Sequence, residues 1–399
     1  MNTFLGGHMS NVAGTRAVVG IAGAGIGGST AAIALRRLGV EVELFEQAPG
    51  FARVGADINL TPNAVRALDG LDIGDTLRLT AAQPTHRISR TWDTGVETSR
   101  IEMADHAVER YGAPQLTIHR ADLMHALEDA LKDVRISFGK KLESVADGDR
   151  LHLQFADGTS RDVDILIGAD GIHSAVRTWM LGPEQPEFTG VVAYRALVDT
   201  ERLAGLPNLD AFTKWWGPNP ETQIVTFPLD RGRTTFVFAT TPQPEWADES
   251  WTRPGDVREL RAAYADFHPE ARALLDARDD VLISALYVRD PLATWRRGNA
   301  ALLGDACHPM MPFMAQGAGQ AIEDAIVLSR CLAGGFASTA EALDTYQSLR
   351  LPRTSAIQVG SRGNSWLKAS GTDTQEPAGE LAIDPDTVYG YDAWNVPLR

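Results

Sequence analysis

The sequence predicts an α/β fold with a βαβ unit near its start, a mostly antiparallel β-sheet inserted into that unit, and a C-terminal helical segment. Three observations carry the prediction. Arg16 to Ala48 reads as strand, glycine-rich turn, helix and strand, which is the order of a parallel βαβ unit. The stretch from about 190 to 285 is strand-like with turn residues between its runs. Short apolar strands ending in glycine and acid recur around Ile165 to Asp170 and Leu302 to Asp305, as if the chain returns to its first sheet.

Element by element, Ala17 to Ala22 reads as a buried strand, Ser29 to Leu38 as a helix and Val42 to Phe45 as a second strand. A helix-like stretch follows Leu60. "HRISRTWDTGVETSRIEM" is strand-rich with turns, and "LTIHRADLMHALEDALKD" runs from a strand end into an amphipathic helix. "LHLQFADGTSRDVDILIGADG" alternates like a hairpin about an Asp-Gly turn. "FTKWWGPNPETQIVTFPLD" and "RGRTTFVFATT" supply strands to the inserted sheet, with Trp215 and Trp216 read as structural. A helix is expected from near Gly319, and the tail after Arg330 reads as helical to about Leu367, then irregular. The expected division gives residues 14–85, 110–185 and 286–335 to the βαβ-containing domain. Residues 86–109 and 186–285 form the inserted substrate domain, and 336–399 the C-terminal segment and tail.

The glycine-rich turn has a chemical meaning. Gly23, Gly25 and Gly28 space as G-x-G-x-x-G, with Ile26 and Gly27 inside the motif. The first glycine makes the tight turn, the second lets backbone approach a pyrophosphate, and the third lets helix and strand pack closely. The helix start offers free N–H groups and a positive dipole end. Glu46 ends the second strand, where an acid bonds a ribose hydroxyl, and Gln47 follows it. Dinucleotide binding is therefore expected, without saying which dinucleotide. A nicotinamide dehydrogenase normally continues with further βαβ units, and this chain does not.

Two later motifs narrow the choice. "DVDILIGADGIHSAVR" ends an apolar strand in Gly168-Ala169-Asp170-Gly171. "LLGDACHPMMPFMAQGAGQAIEDA" puts Gly304 and Asp305 at another strand's C-terminal edge, where α/β sheets bind ligands. Asp305 is suited to accept from a ribityl hydroxyl. The amides of Gly317, Ala318 and Gly319 start a helix whose positive end suits the pyrimidine edge of a reduced flavin.

Composition bounds the partners. Of 399 residues, 44% are hydrophobic and 22% charged, an ordinary globular balance, and the formal net charge is −15. That acidity argues against nucleic acid or an anionic membrane. The two cysteines, Cys307 and Cys331, build no disulfide framework and suit a reducing cytosol. The opening "MNTFLGGHMS" has neither basic region nor apolar run, and no run reaches membrane-spanning length. A cytoplasmic protein, monomer or homodimer, with a small-molecule partner is expected.

With these motifs in view, the chain resembles the single-component FAD-dependent aromatic hydroxylases, the p-hydroxybenzoate and salicylate hydroxylase family. The three motifs occur in the family's order, over about residues 16 to 367. Within it, "VEVELFEQAPGFARVGA", "LTIHRADL", "FGKKLE", "KWW", "GDACHPMMPFMAQGA" and "YGYD" are similar to the hydroxynicotinate-hydroxylating members. The resemblance implies a p-hydroxybenzoate hydroxylase-like fold with FAD as cofactor and NADH or NADPH as a transient co-substrate. It also implies O2 and a small hydroxylated aromatic or hydroxypyridine as substrates, with hydroxylation, possible decarboxylation, and passage through a flavin hydroperoxide. The same scaffold also carries epoxidation, Baeyer–Villiger insertion and non-catalytic escort proteins.

By the same resemblance Glu46 binds the adenosine ribose, Arg53 and Arg120 contact FAD, and Asp305 binds the ribityl and pyrophosphate region. The loop from Pro309 to Gly319 lines the flavin ring. Cys307 and His308 are adjacent, so their side chains diverge, and the sequence offers no further ligand cluster. No metal is expected. Cys307 reads as packing, and Met310, Met311 and Met314 read as adaptable lining. His308, Pro309 and Tyr194 are the candidate catalytic residues, and Arg195 is a further candidate to face flavin or substrate. Asn59 and Phe313 stand where the hydroxynicotinate members place histidines, and Phe212, Thr222 and Val225 where they carry polar groups. Their loss predicts a less polar ring substituent, with Asn59, Phe212, Thr226 and Phe313 as pocket residues.

Overall fold

A computed structural model describes residues 17–51, 57–246, 250, 253–364 and 383–399. Arg53 falls outside these residues. The N-terminal βαβ unit builds a six-stranded sheet in the order Arg296–Arg297, Ala300–Leu302, Ile165–Gly168, Val18–Ala22, Glu41–Glu46, Arg135–Phe138. Its pairings are parallel except the first, a two-residue hairpin. Its central strands are apolar on both faces, as parallel strands between helices must be: Val19, Ile21, Leu44, Leu166 and Ile167 are fully buried. The helix Ile26–Arg37 begins earlier than the sequence suggests. Gly25 is its N-cap, and the Ser29 amide already donates to the Gly25 carbonyl at 2.9 Å, so the last glycines of the motif form the first turn. The helix Gly317–Ala333 likewise starts two residues before Gly319.

The second sheet has eight strands, in the order Arg253–Gly255, Val281–Val288, Glu187–Asp199, Thr234–Pro242, Gln223–Leu229, Phe212–Trp216, His86–Thr91, Glu97–Glu102. All neighbours are antiparallel except Phe212–Trp216 with His86–Thr91. Period-2 alternation divides its two faces. Val192, Tyr194, Val198, Trp215, Ile224 and Val237 pack with Leu260, Leu274 and Leu275 of the helices Val257–Ala263 and Pro269–Asp276. Ala193, Phe212, Val225, Phe227, Phe236 and Phe238 face the other way, against Met311.

The hairpin read from "LHLQFADGTS" pairs Leu151–Phe155 with Ser160–Val163, and Gly158 takes φ +81° in its turn. The tail forms the helix Thr339–Gly360 and the short helix Pro385–Tyr389. The long helix thus ends before Leu367. Among the described residues no helix is long and apolar enough to cross a membrane.

Candidate active site

A cavity of about 790 Å³ opens between the C-terminal edge of the first sheet and the aromatic face of the second. The glycine motif forms one end. At Gly23, with φ +99°, a Cβ would stand 2.4 Å from the Ala169 carbonyl oxygen, and at Gly28 a Cβ would meet the Gly23 carbonyl oxygen at 2.0 Å. At Gly25 a Cβ would meet nothing within 4 Å, because that position looks into the cavity. The helix that starts there has no side-chain cap and no acid in its first turn. The helix Gly317–Ala333 also starts without a side-chain cap, and Gly317 and Ala318 line the same cavity. Two helix starts therefore present backbone donors and positive dipole ends to one space.

Arg120, at the start of the helix Arg120–Ala130, and Asp305, after the strand Ala300–Leu302, complete this end. Asp305 is exposed to the cavity; desolvation by the surrounding protein raises its pKa, while His308 and Arg120 pull it down. Glu46 accepts from the Ala24 and Ala48 amides, both at 2.8 Å, so its carboxylate braces the glycine turn. Gln47 is exposed and Gly319 is buried; neither lines the cavity.

The other end is an aromatic box. Leu197, Phe212, Val225, Phe227, Phe236, Phe238, Met310, Met311 and Phe313 surround it, with Asn59 on its rim. Three cations enter this apolar wall: Arg195, a candidate to face flavin or substrate, and Arg87 and Lys214, which the expectation of a less polar site did not include. Arg87 lies over the Phe212 ring at 4.5 Å and donates to the Tyr389 hydroxyl. Arg195 donates to Ser284 Oγ at 2.5 Å. Lys214 donates to Asn364 Oδ1 at 2.6 Å. Asp57 is a further residue whose part was not foreseen. It lines the cavity, and burial pushes its carboxyl up to about 6, against the pull of Arg195, His119 and Arg120.

Several expected residues lie elsewhere. Thr226 and Tyr194 occupy the opposite face of the sheet, one position out of phase with Val225 and Arg195: Thr226 stands near Leu206, Leu209 and Trp215, and Tyr194 in the helix-covered core. Asp170 caps a helix instead of opening to the cavity. It accepts from Ser174 Oγ at 2.5 Å and the Ala175 amide at 2.7 Å, and burial raises its pKa although these bonds oppose it. Pro309 is buried behind the cavity, its carbonyl accepting from Gln358 Nε2 at 3.0 Å.

His308 is also buried there, and its Nε2–H donates to Asp324 Oδ2 at 2.5 Å. Asp324 brings a third donor within 4.8 Å of Cys307 and His308, a grouping that residues 16 or more positions apart did not disclose. Its atoms are engaged, however. Asp324 also accepts from Arg350 Nε at 2.8 Å and the Gly304 amide at 3.2 Å. The Cys307 thiol, pushed well above its usual range by burial, donates to the Gly304 carbonyl at 3.3 Å. This trio holds the Gly304–Asp305 turn in place.

Comparison with known proteins agrees with this geometry. The family model described as FAD binding domain matches residues 16–360. A 6-hydroxynicotinate 3-monooxygenase of Pseudomonas fluorescens is 39% identical, over 95% of this chain and 96% of the relative. A salicylate hydroxylase of Pseudomonas putida is 35% identical, over 95% and 92%. Among solved structures, HpxO of Klebsiella pneumoniae complexed with FAD and uric acid superposes with a TM-score of 0.77 at 29% identity, covering 89% of this chain and 90% of that one.

Proposed function

The chain belongs to the FAD-dependent aromatic monooxygenases, and from that premise we propose that it uses NADH or NADPH and O2 to hydroxylate a small hydroxylated aromatic or hydroxypyridine, with or without loss of a carboxyl group. The observation that carries this reading is that one cavity has two chemically distinct ends. One end offers backbone amides at two uncapped helix starts, a basic side chain and an acceptor; the other is a box of phenylalanines.

The first end fits FAD. The open Gly25 position leaves room for a diphosphate beside the Ile26 and Gly27 amides, with Arg120 supplying charge. Glu46 would hold the adenosine ribose, Asp305 the ribityl chain, and the Gly317 and Ala318 amides the flavin ring. FAD supplies the electron transfer and oxygen activation that no protein side chain provides. The chain's own residues do the rest. Phe212, Phe227, Phe236 and Phe238 hold a flat ring and exclude water. Asp57, with a carboxyl near 6, is the group suited to exchange a proton with a ring hydroxyl, because a base matched to working pH is an efficient one.

The test is a screen of the purified yellow protein. Released cofactor should be FAD, and a hydroxybenzoate, phenol or hydroxypyridine should stimulate NAD(P)H consumption with formation of a product carrying one more oxygen. FMN, or NAD(P)H oxidation that no such ring stimulates, would overturn the reading.

A further inference from the structure

We propose that Arg87 is the residue that selects the substrate's charge: it holds a carboxylate carried by the aromatic ring, and Tyr389 of the C-terminal segment sets its position. This rests on the hydroxylase reading above and adds the anionic substituent that the ring must bear. Four arginines are buried among the described residues: Arg87, Arg177, Arg289 and Arg350. Arg177 and Arg289 pair with Glu184, and Arg350 pairs with Glu323 and Asp324. Arg87, 8% exposed, makes no ion pair among the described residues. It is also the one of the four that lines the cavity.

Its surroundings fix both its place and what it lacks. Arg87 and Phe212 are register partners on neighbouring strands, so both side chains point to the aromatic face. The guanidinium lies 4.5 Å from the centre of the Phe212 ring, which is itself stacked on Phe227 at 5.4 Å. One terminal nitrogen, Nη1, donates to the Tyr389 hydroxyl. Nε and Nη2, the other edge of the fork, have no protein acceptor among the described residues. A guanidinium keeps its charge at any working pH, and burying it among neutral groups is costly unless an anion reaches it. A carboxylate meets such an edge with two parallel hydrogen bonds, and the cavity is the space from which one can arrive. Phe212 therefore does not make the pocket neutral: it is the platform on which a positive charge rests.

Asn59 gives an independent sign that the ligand is rich in acceptors. It lines the same cavity, its Oδ1 accepts from Gln115 Nε2 at 2.9 Å, and its buried Nδ2 has no acceptor among the described residues. The other cations of the wall have places of their own. Arg195 feels the Asp57 carboxylate and donates to Ser284, and Lys214 donates to Asn364. Tyr389 comes from the helix Pro385–Tyr389, whose Thr387 and Val388 carbonyls accept from Arg353 at 2.8 and 2.9 Å. The Tyr111 ring packs edge-on against it at 5.6 Å. The C-terminal segment thus reaches the substrate end and holds Arg87 through a neutral contact that leaves its charge available.

The FAD-loaded protein tests this with Arg87→Met, Arg87→Lys and Tyr389→Phe. The measurement is equilibrium binding of matched rings, read from the perturbed flavin absorbance: 2-, 3- and 4-hydroxybenzoate against phenol, and 6-hydroxynicotinate against 2-hydroxypyridine. The wild type should bind the best carboxylated ring at least roughly tenfold more tightly than its parent. In Arg87→Met that preference should fall by roughly ten- to a hundred-fold, the scale of a charge-assisted hydrogen bond. Arg87→Lys should keep part of it, since the charge remains and the fork does not. Tyr389→Phe should lower the preference less than Arg87→Met does; an unchanged preference there removes Tyr389 from the proposal. Arg87→Met should melt no lower than the wild type, because the charge it removes has no carboxylate to leave behind. A lower melting temperature with an unchanged preference marks Arg87 as a structural strut and overturns the proposal. Equal loss for a carboxylated ring and its parent, or a wild type that prefers the parent, also overturns it and leaves the hydroxylase reading standing. If the wild type binds none of the rings, the hydroxylase reading falls first and this inference with it. Should Arg87→Met fold poorly, Arg87→Gln gives the same comparison with a polar neutral side chain.

Discussion

At Asp57 a single carboxyl couples stability to chemistry. Its folded pKa, about 6, stands above the ordinary carboxylate value, so its ionisation opposes folding. The stability tied to its neutral form is fully present below about pH 4 and is lost as pH rises through about 6. Asp57→Asn should therefore be more stable than the wild type above pH 7, by roughly 1–2 kcal/mol after allowance for its partial exposure, and equal to it near pH 4. Denaturant titrations at the two pH values measure this. In the same variant the acid limb of kcat/KM near pH 6 should flatten; an unchanged limb would assign that proton elsewhere. Asp305→Ala should weaken FAD retention roughly ten- to a hundred-fold, the worth of a charged acceptor, read by flavin released on dilution. Asp305 was legible in the sequence because Gly-Asp ends an apolar strand. Asp57 was not, because its pKa is set by burial in the folded chain, against the pull of Arg195, His119 and Arg120, which lie 62 or more positions away along the chain.

At the scale of elements, the βαβ unit was legible because its glycines are read by backbone geometry, which sequence spacing encodes directly. The two kinds of glycine should separate in experiment. Gly28→Ala sets a Cβ 2.0 Å from a backbone oxygen that cannot move aside, so it should destabilise the fold by about 1–3 kcal/mol or more. Gly25→Ala meets no protein atom within 4 Å and has an ordinary φ of −70°. Its stability without cofactor should change by no more than about 0.5 kcal/mol, while FAD affinity falls, because the new methyl group occupies the space of the diphosphate. Thermal melts with and without added FAD distinguish the two effects. Strand facing was harder to read. In "QIVTFPL" every residue is buried, and in "VVAYRAL" the residues of both faces are buried or half-buried, so polarity gives no phase. Choosing Thr226 over Val225, or Tyr194 over Arg195, then depends on which face meets the helices Val257–Ala263 and Pro269–Asp276. The sequence of the strand alone does not contain that information.

Across the whole molecule, the segments that shape the cavity are tied together by one buried charge cluster. Arg350, fully buried, donates to Glu323 at 2.6 Å, to Asp324 at 2.8 Å and to Gln320 Oε1 at 2.7 Å. Arg353 pairs with Glu323 and donates to the Thr387 and Val388 carbonyls, fastening the C-terminal segment. Asn63 reaches Glu323 from the helix Pro62–Asp69, and Asp324 holds His308 and the Gly304 amide below the cavity. Burial alone would raise both carboxyl pKa values, but Arg353 and Arg350 around Glu323, and His308 and Arg350 around Asp324, hold them below the usual range. Their contribution is therefore present above the ordinary carboxylate values and is lost only as pH falls through the depressed ones. Arg350→Met reverses this balance, since it leaves two buried carboxylates short of positive charge. We expect a loss of about 3–5 kcal/mol at pH 7, the cost of breaking a buried pair from one side. The loss should shrink towards pH 4, where the orphaned carboxyls take up protons and become neutral. Because the cluster holds the Gly304–Asp305 turn, flavin should be released at a lower temperature than protein unfolding in this variant. Flavin fluorescence and circular dichroism, followed together on heating at pH 4 and pH 7, measure both effects. A loss that is the same at the two pH values would mean that Arg350 stabilises the molecule through packing and not through the charges of Glu323 and Asp324.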